Sequence, residues 1–182
     1  TSGPYLLNQY ERIVQLRGMS FYWSNPLWGG TRFYTRDWVK FLRDEWKCTV
    51  VRAAYDRNEE HDNGWKEVKT VIDAAITEGV YVIVDWHSHT AHNQLAAAVD
   101  FFTQQARIYK NTPNVIFEIY NEPVIASASQ PKDGSIENAR ETWSLIKPYL
   151  KAVTKAIRNE GCDNLVIAGT PYYSQHVGVA AD

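Results

Sequence analysis

Val115-Ile116-Phe117-Glu118-Ile119-Tyr120-Asn121-Glu122-Pro123 is a hydrophobic run that ends in an amide, a carboxylic acid and a proline. Its apolar, β-branched start predicts a buried strand, and its polar end marks where that strand surfaces. Proline disfavours helical geometry in the residue before it, so Glu122 is held extended as the chain leaves the strand. Alternation along a strand puts Glu118, Tyr120 and Glu122 on one face, with Phe117 and Ile119 on the other. Glu118 then lies about 13 Å below Glu122. At that depth a carboxylate needs a cation, for which Arg17 and Arg52 are the candidates.

The flanking sequence repeats the same alternation of elements. A first strand is expected over residues 14–20, followed by a loop holding Trp23 and Trp28, and then a helix over 35–46. Thr35 is a suitable cap for that helix, and Trp38, Phe41 and Leu42 would share its inner face. A β-branched strand follows over 49–53, then a helix over 65–78 ended by Gly79. Residues 80–85 are almost continuously apolar, which suits a parallel strand buried on both faces. A helix over 93–109 precedes the quoted strand, a loop over 129–134 follows it, and a helix covers 138–158. Pro148 predicts a kink or break in that last helix. Gly161 ends it, and residues 165–169 form the fifth strand.

Strand–helix alternation with right-handed crossovers makes a parallel α/β assembly. A doubly wound sheet would carry a glycine-rich phosphate loop after its first strand, and Arg17-Gly18-Met19-Ser20 is no such fingerprint. Polar residues recur instead at the ends of several strands: Arg52, Asp85-Trp86-His87, Asn121-Glu122 and Thr170. That pattern favours a (β/α)₈ TIM barrel, whose chemistry sits at the C-terminal ends of the strands. Complete barrels take about 250 residues, so residues 1–182 are expected to be the N-terminal portion of one catalytic barrel, without strands six to eight.

Composition narrows the partners. A net charge of -2 gives no electrostatic case for nucleic acid or for an anionic membrane. Cys48 and Cys162 form no metal or redox motif; buried thiols are the plain reading, and a disulfide stays open. Residues 1–10 lack the charged and apolar regions of a signal peptide, which fits a secreted, extracellular protein whose leader has been removed. Seven Trp and eleven Tyr, many in expected loops, are what a sugar-binding cleft needs, although such rings also serve as core.

Several side chains are candidates for chemistry. Glu122 at a strand end can act as a proton donor if its surroundings favour the acid form, and Asn121 can donate an amide hydrogen bond to a hydroxyl. Arg52 offers a planar fork suited to holding a carboxylate. His87 and His89 invite a metal reading, but no further ligand pair supports a closed site, so neither metal nor cofactor is expected. Neutral imidazoles contacting hydroxyls are preferred, with Asp85 as an anchor. Trp28, Tyr55 and Tyr173 would supply flat rings for pyranose faces.

Taken together, Arg17-Gly18-Met19-Ser20, Val51-Arg52-Ala53-Ala54, Val84-Asp85-Trp86-His87-Ser88-His89, the strand ending in Asn121-Glu122-Pro123 and Gly169-Thr170-Pro171-Tyr172-Tyr173-Ser174-Gln175 resemble the glycoside hydrolase family 5 cellulases. The resemblance covers nearly the whole chain. It implies a retaining endo-β-1,4-glucanase acting on cellulose or β-glucan, with Glu122 as general acid/base. It also implies that Asn121 binds the sugar beside the cleavage point, that Arg52 supports the nucleophile, and that His87 lines the cleft. Tyr173 falls where relatives carry an aromatic, commonly tryptophan. The family's nucleophile follows its seventh strand, and Glu118, Glu137 and Glu141 do not match that position. A C-terminal half or a second chain would complete the barrel. A mannanase or other β-glycanase of the family, and a non-catalytic carbohydrate-binding or scaffold protein, are the alternatives.

Overall fold

The computed structural model describes residues 1–8, 10–57, 64–124 and 134–181. A short antiparallel ribbon comes first, pairing β1 (Leu6–Leu7) with β2 (Ile13–Val14). The main sheet has five parallel strands: β3 (Gly18–Ser20), β4 (Val50–Tyr55), β5 (Tyr81–Trp86), β6 (Val115–Glu118) and β7 (Val166–Ile167). They lie side by side in chain order. Sequential order is that of a barrel, since a doubly wound sheet reverses direction from its first strand.

The expected first strand is thus split. Val14 belongs to the ribbon, and only Gly18–Ser20 joins the sheet. Between them, Arg17 binds Thr49: its N–H donates to Thr49 Oγ1 at 2.9 Å, and its carbonyl accepts from Thr49 N–H at 2.7 Å. Gly18 then lies so close to the Val50 carbonyl that no side chain would fit.

Helix boundaries follow local chemistry. In α1 (Arg36–Asp44), Thr35 Oγ1 accepts from Trp38 N–H, and Asp37 sits in the first turn where helix-end partial charge favours it. The buried face is Val39 and Leu42, whereas Trp38 and Phe41 are exposed and pack edge-on to each other. That corrects the expected stripe: Leu42 is the one of the three residues that turns inward. In α2 (Trp65–Glu78), Gly79 adopts a left-handed φ of 70° and donates to Ala75 and Ile76 carbonyls, closing the helix as read.

The helix expected over 93–109 begins with a 3₁₀ turn (Ala91–Gln94) and continues as α3 (Leu95–Tyr109). In α4 (Ile136–Asn159), Ser135 caps the start, and the helix passes through Pro148 without a break. Pro148 lacks one N–H, while Ile146, Tyr149, Leu150 and Val153 around it are buried and hold the helix on the sheet. The loop expected over 129–134 lies outside the described residues except for Gly134.

Between sheet and helices lies the core. Val51, Ala53 and Tyr55, Val82, Val84 and Trp86, and Val115 and Phe117 all join one apolar cluster with residues of the helices. By parity the opposite face carries Arg52, Ile83, Asp85, Ile116 and Glu118. Cys48 and Cys162 are both buried and free, which closes the disulfide question in favour of packed thiols.

Buried Asn164 ties the start of β7 to its neighbours. Its Nδ2 lies 3.2, 3.0 and 2.8 Å from the carbonyls of Tyr109, Thr112 and Val115. Asn164→Ala leaves these buried acceptors without that donor. The expected loss is about 3 kcal/mol in equilibrium urea unfolding, and a loss under about 1 kcal/mol would contradict the role given to Asn164.

Candidate active site

The strand ends that expose polar groups converge around one guanidinium. Arg52 is the third residue of β4, not its last, and it points to the inner face of the sheet. Its Nε donates to Glu118 Oε2 at 2.6 Å, and its Nη2 to Asp85 Oδ2 at 2.7 Å and Asn121 Oδ1 at 2.6 Å. Nη1 reaches Ser20 Oγ at 3.3 Å. Of the two cations considered for Glu118, Arg52 is therefore the partner, and Arg17 binds Gln15 instead. Burial opposes the charge on Arg52, but Asp85 and Glu118 more than compensate and raise its pKa.

Asp85 is wholly buried. Burial pushes its carboxyl up to about 8, against the pull of Arg52. Arg52 Nη2 and His87 Nδ1 both converge on Oδ2, whereas Oδ1 has no partner among the described residues. His87 Nδ1 lies 2.6 Å from Oδ2, which leaves Nε2 as the ring nitrogen not engaged by Asp85. Burial and then Arg52 push His87 down to about 4, so it is neutral near pH 7. Glu118 is pushed up to about 7, chiefly by burial and then by Asp85 beside it.

Arg52 also orients Asn121. Only the amide oxygen can face a guanidinium, so Oδ1 turns to Arg52 and Nδ2 turns away. That Nδ2 is buried without a partner among the described residues. Directly after it, Glu122 is half exposed, with its carbonyl accepting from His89 Nδ1 at 2.9 Å and its Oε2 3.9 Å from the same nitrogen. His89 must be protonated on Nδ1 to make the carbonyl contact.

Two further contacts hold this turn. Tyr120 hydroxyl donates to the His89 carbonyl at 3.0 Å and lies 2.8 Å from His92 Nδ1. Strand pairing of β6 stops at Glu118, so the expected alternation does not reach Tyr120. Its ring packs on Tyr149 of α4, on the helix side like Phe117 against Phe102. The histidine spacing of His87-Ser88-His89-Thr90-Ala91-His92 was the sequence signal for this clamp, although the expectation there was of imidazoles contacting hydroxyls. No cluster of metal-binding side chains occurs among the described residues.

A cleft of about 430 Å³ opens over these groups, lined by Ser20, Tyr22, Trp23, Trp28, Arg52, His87 and His89, with Phe21 beneath. The loop carrying its aromatic wall is fastened to β4 by Phe21 N–H to Arg52 O and Ser24 N–H to Ala54 O. Trp28 is exposed, and its ring centroid lies 6.0 Å from that of Trp23. Glu122 and Tyr173 flank the cleft beyond His89, whose ring is 6.1 Å from Tyr173. Tyr173 sits in a left-handed stretch with Tyr172 and Ser174.

Tyr55 corrects the sequence reading. It is buried, stacked on Phe101 and edge-on to Trp65 and Trp86. Strand parity directs its ring into the helix layer, where it packs the core rather than standing exposed at the rim like Trp28. Sequence reasoning also treated Glu118 only as structural and did not single out Ser20 or Tyr34. Tyr34 hydroxyl donates to the Tyr22 carbonyl at 2.7 Å and accepts from Ala54 N–H at 3.1 Å, pinning the cleft loop.

Comparison with known proteins places this geometry. The family model for cellulase (glycosyl hydrolase family 5) matches residues 7–182. Endoglucanase Z of Dickeya dadantii is 44% identical over 94% of this chain, and endoglucanase N of Pectobacterium atrosepticum is 37% identical over 97%. The chain spans 38% of the length of each of these curated relatives. Among solved structures, one from Cytophaga hutchinsonii is 41% identical with a TM-score of 0.79, covering 97% of this chain and 54% of that one. The catalytic domain of a Thermobifida fusca endoglucanase in complex with cellotetraose is 28% identical with a TM-score of 0.78, covering 100% and 56%.

The electrostatics of His87 are directly measurable. Its folded pKa of about 4 lies below the unfolded value, so the unfolded chain binds the proton first. The stability it contributes is present above about pH 6.5 and is lost as pH falls toward 4. In a proton NMR titration of its ring, His87 is expected to titrate near 4, and a midpoint at 6 or above would contradict its buried neutral state.

Proposed function

Because the chain belongs to glycoside hydrolase family 5, we propose that it carries the acid/base half of a retaining endo-β-1,4-glucanase. Its substrate would be cellulose or a related β-glucan, cut at internal bonds. One observation carries the reading: the 2.6 Å bond from Arg52 to Asn121 Oδ1, which leaves an amide N–H unused beside Glu122. A sugar hydroxyl is the natural acceptor for that donor, and it would bring the neighbouring glycosidic bond to Glu122.

In the proposed cycle, Glu122 donates its proton to the leaving glycosidic oxygen while a second carboxylate attacks the anomeric carbon. The Glu122 carboxylate then takes a proton from water, and the water oxygen displaces that second carboxylate from the same carbon. Such pairs stand about 5–5.5 Å apart. Glu118 is not assigned as the nucleophile, because it ends β6, four residues before Glu122, and does not match the position after the seventh barrel strand where the family carries its nucleophile. Glu137 and Glu141 are not assigned either, because both belong to α4 in the outer helix layer. The proposal leaves the nucleophile to sequence outside these residues and holds that they are inactive by themselves.

The other groups take supporting roles. Trp28 and Trp23 would stack on pyranose faces, and His87 Nε2 would hydrogen-bond a hydroxyl. His89 and Tyr173 would form the wall beyond Glu122. Action on a polymer too large to enter a cell agrees with an extracellular location.

The test uses the full-length protein. It is expected to cleave carboxymethylcellulose in preference to mannan and to release the β-anomer first, as followed by NMR. Glu122→Gln should lower kcat by about 10²-fold or more on unactivated substrate. Preferred cleavage of mannan would overturn the substrate, an initial α-anomer would overturn retention, and a fully active Glu122→Gln would overturn the role of Glu122.

A further inference from the structure

Asp85 and Glu118 stand directly opposite each other on β5 and β6. Both face inward, with Asp85 wholly buried and the Glu118 side chain 13% exposed. Two carboxyl groups in register on adjacent strands and shielded from water resist ionising together, and both are pushed up, Asp85 to about 8 and Glu118 to about 7. Unless something held them apart from solvent to a purpose, this pair would be a liability.

What offsets the repulsion is Arg52, and the way it does so has a directional consequence. The guanidinium is flat and rigid, so fixing Nε fixes where both terminal nitrogens point. Glu118 is the acceptor at Nε, at 2.6 Å. Asp85 and Asn121 both take Nη2, and Ser20 takes Nη1 from a longer 3.3 Å. Without Glu118, the fork could swing about its Cδ–Nε bond, and the contact to Asn121 Oδ1 would lose its direction. Asn121 would then be free to turn its amide.

We propose that Glu118 is a positioning residue of the glycosidase site: it holds Arg52 through Nε so that Asn121 keeps its Nδ2–H turned toward the bound sugar. The proposal rests on the glycosidase reading of Asn121 and Glu122. The groups facing Glu118 are Arg52 from β4, Asp85 from β5 and His87 just beyond it, while Tyr34 acts on Arg52 from the loop before α1. His87 is neutral near pH 7, so Arg52 is the cation among them.

Two substitutions in the full-length protein separate the hydrogen bond from the charge. Glu118→Gln keeps an acceptor for Nε and loses the charge; Glu118→Ala loses both. On a β-glucan, kcat is expected to fall about threefold in Glu118→Gln and about thirtyfold in Glu118→Ala, with KM little changed in either. The conservative Glu118→Gln thus keeps most of the activity that Glu118→Ala loses, and a fall in kcat at constant KM is a split that a merely structural residue would not cause.

An independent arm follows the Arg52 Nε–H by ¹H–¹⁵N NMR. It should be slowly exchanging in the wild type and in Glu118→Gln, and lost to exchange in Glu118→Ala. A wild-type Nε–H that exchanges freely overturns the positioning role, as does wild-type kcat in folded Glu118→Ala. Should Glu118→Ala fail to fold, an Arg52 Nε–H that exchanges freely in Glu118→Gln overturns the positioning role. If the wild type cleaves no β-glucan at all, the glycosidase reading has failed, and the NMR arm still decides whether Glu118 anchors Arg52.

Discussion

A guanidinium on the inner face of a parallel sheet can stay charged only if its partners come from the strands around it, and Arg52 is built into that arrangement. Its contacts join the end of β3, the ladder positions of β5 and β6, and the turn after β6. Removing one partner from such a cluster leaves an uncompensated charge in a poorly solvated place, typically at a cost of about 3–5 kcal/mol. The order of the strands and the polar end of the sheet are therefore energetically linked. A slip of one residue in β5 or β6 would turn Asp85 or Glu118 away from Arg52 and into the apolar helix layer.

The helix layer supplies the other half of that constraint. Tyr120, Tyr149, Phe102, Phe117 and Trp86 fill the space between sheet and helices with large buried rings. Their hydroxyl and indole groups are used to hold the strand exits. Tyr149 donates to the Ile119 carbonyl, Tyr120 to the His89 carbonyl, and Trp86 Nε1 to Gln94. The turn that presents Asn121 and Glu122 is thus gripped from below by apolar packing and from the side by hydrogen bonds. Gly169 completes the enclosure, because a side chain there would meet the Tyr120 and Asn121 carbonyls.

Much of this was legible in the sequence where the signal is local. The Gly79 cap, the Thr35 cap and the near-continuous apolar run of β5 follow from backbone propensity and hydrophobic pattern. Elsewhere neighbours outvoted local pattern. Pro148 sits inside a continuous helix because the packing around it restrains the backbone more than one missing N–H loosens it. Trp38 and Phe41 are exposed where periodicity alone allowed them inside. Tyr55, at the end of a strand, turns into the core because the parity of β4 had already sent Arg52 and Ala54 the other way.

The sequence by itself determined the parallel α/β order, the strand that ends at Asn121-Glu122-Pro123, and the residue types gathered near it. Those properties depend on neighbours a few positions away in the chain. Which cation serves Glu118 and which way Asn121 turns its amide were decided only by the tertiary structure. Each depends on contacts between residues some 30 to 70 positions apart or on the burial those contacts create, as with Arg52 and Glu118, which are 66 positions apart. No local pattern carries that information, because it comes into being only when the strands are laid side by side and water is excluded between them.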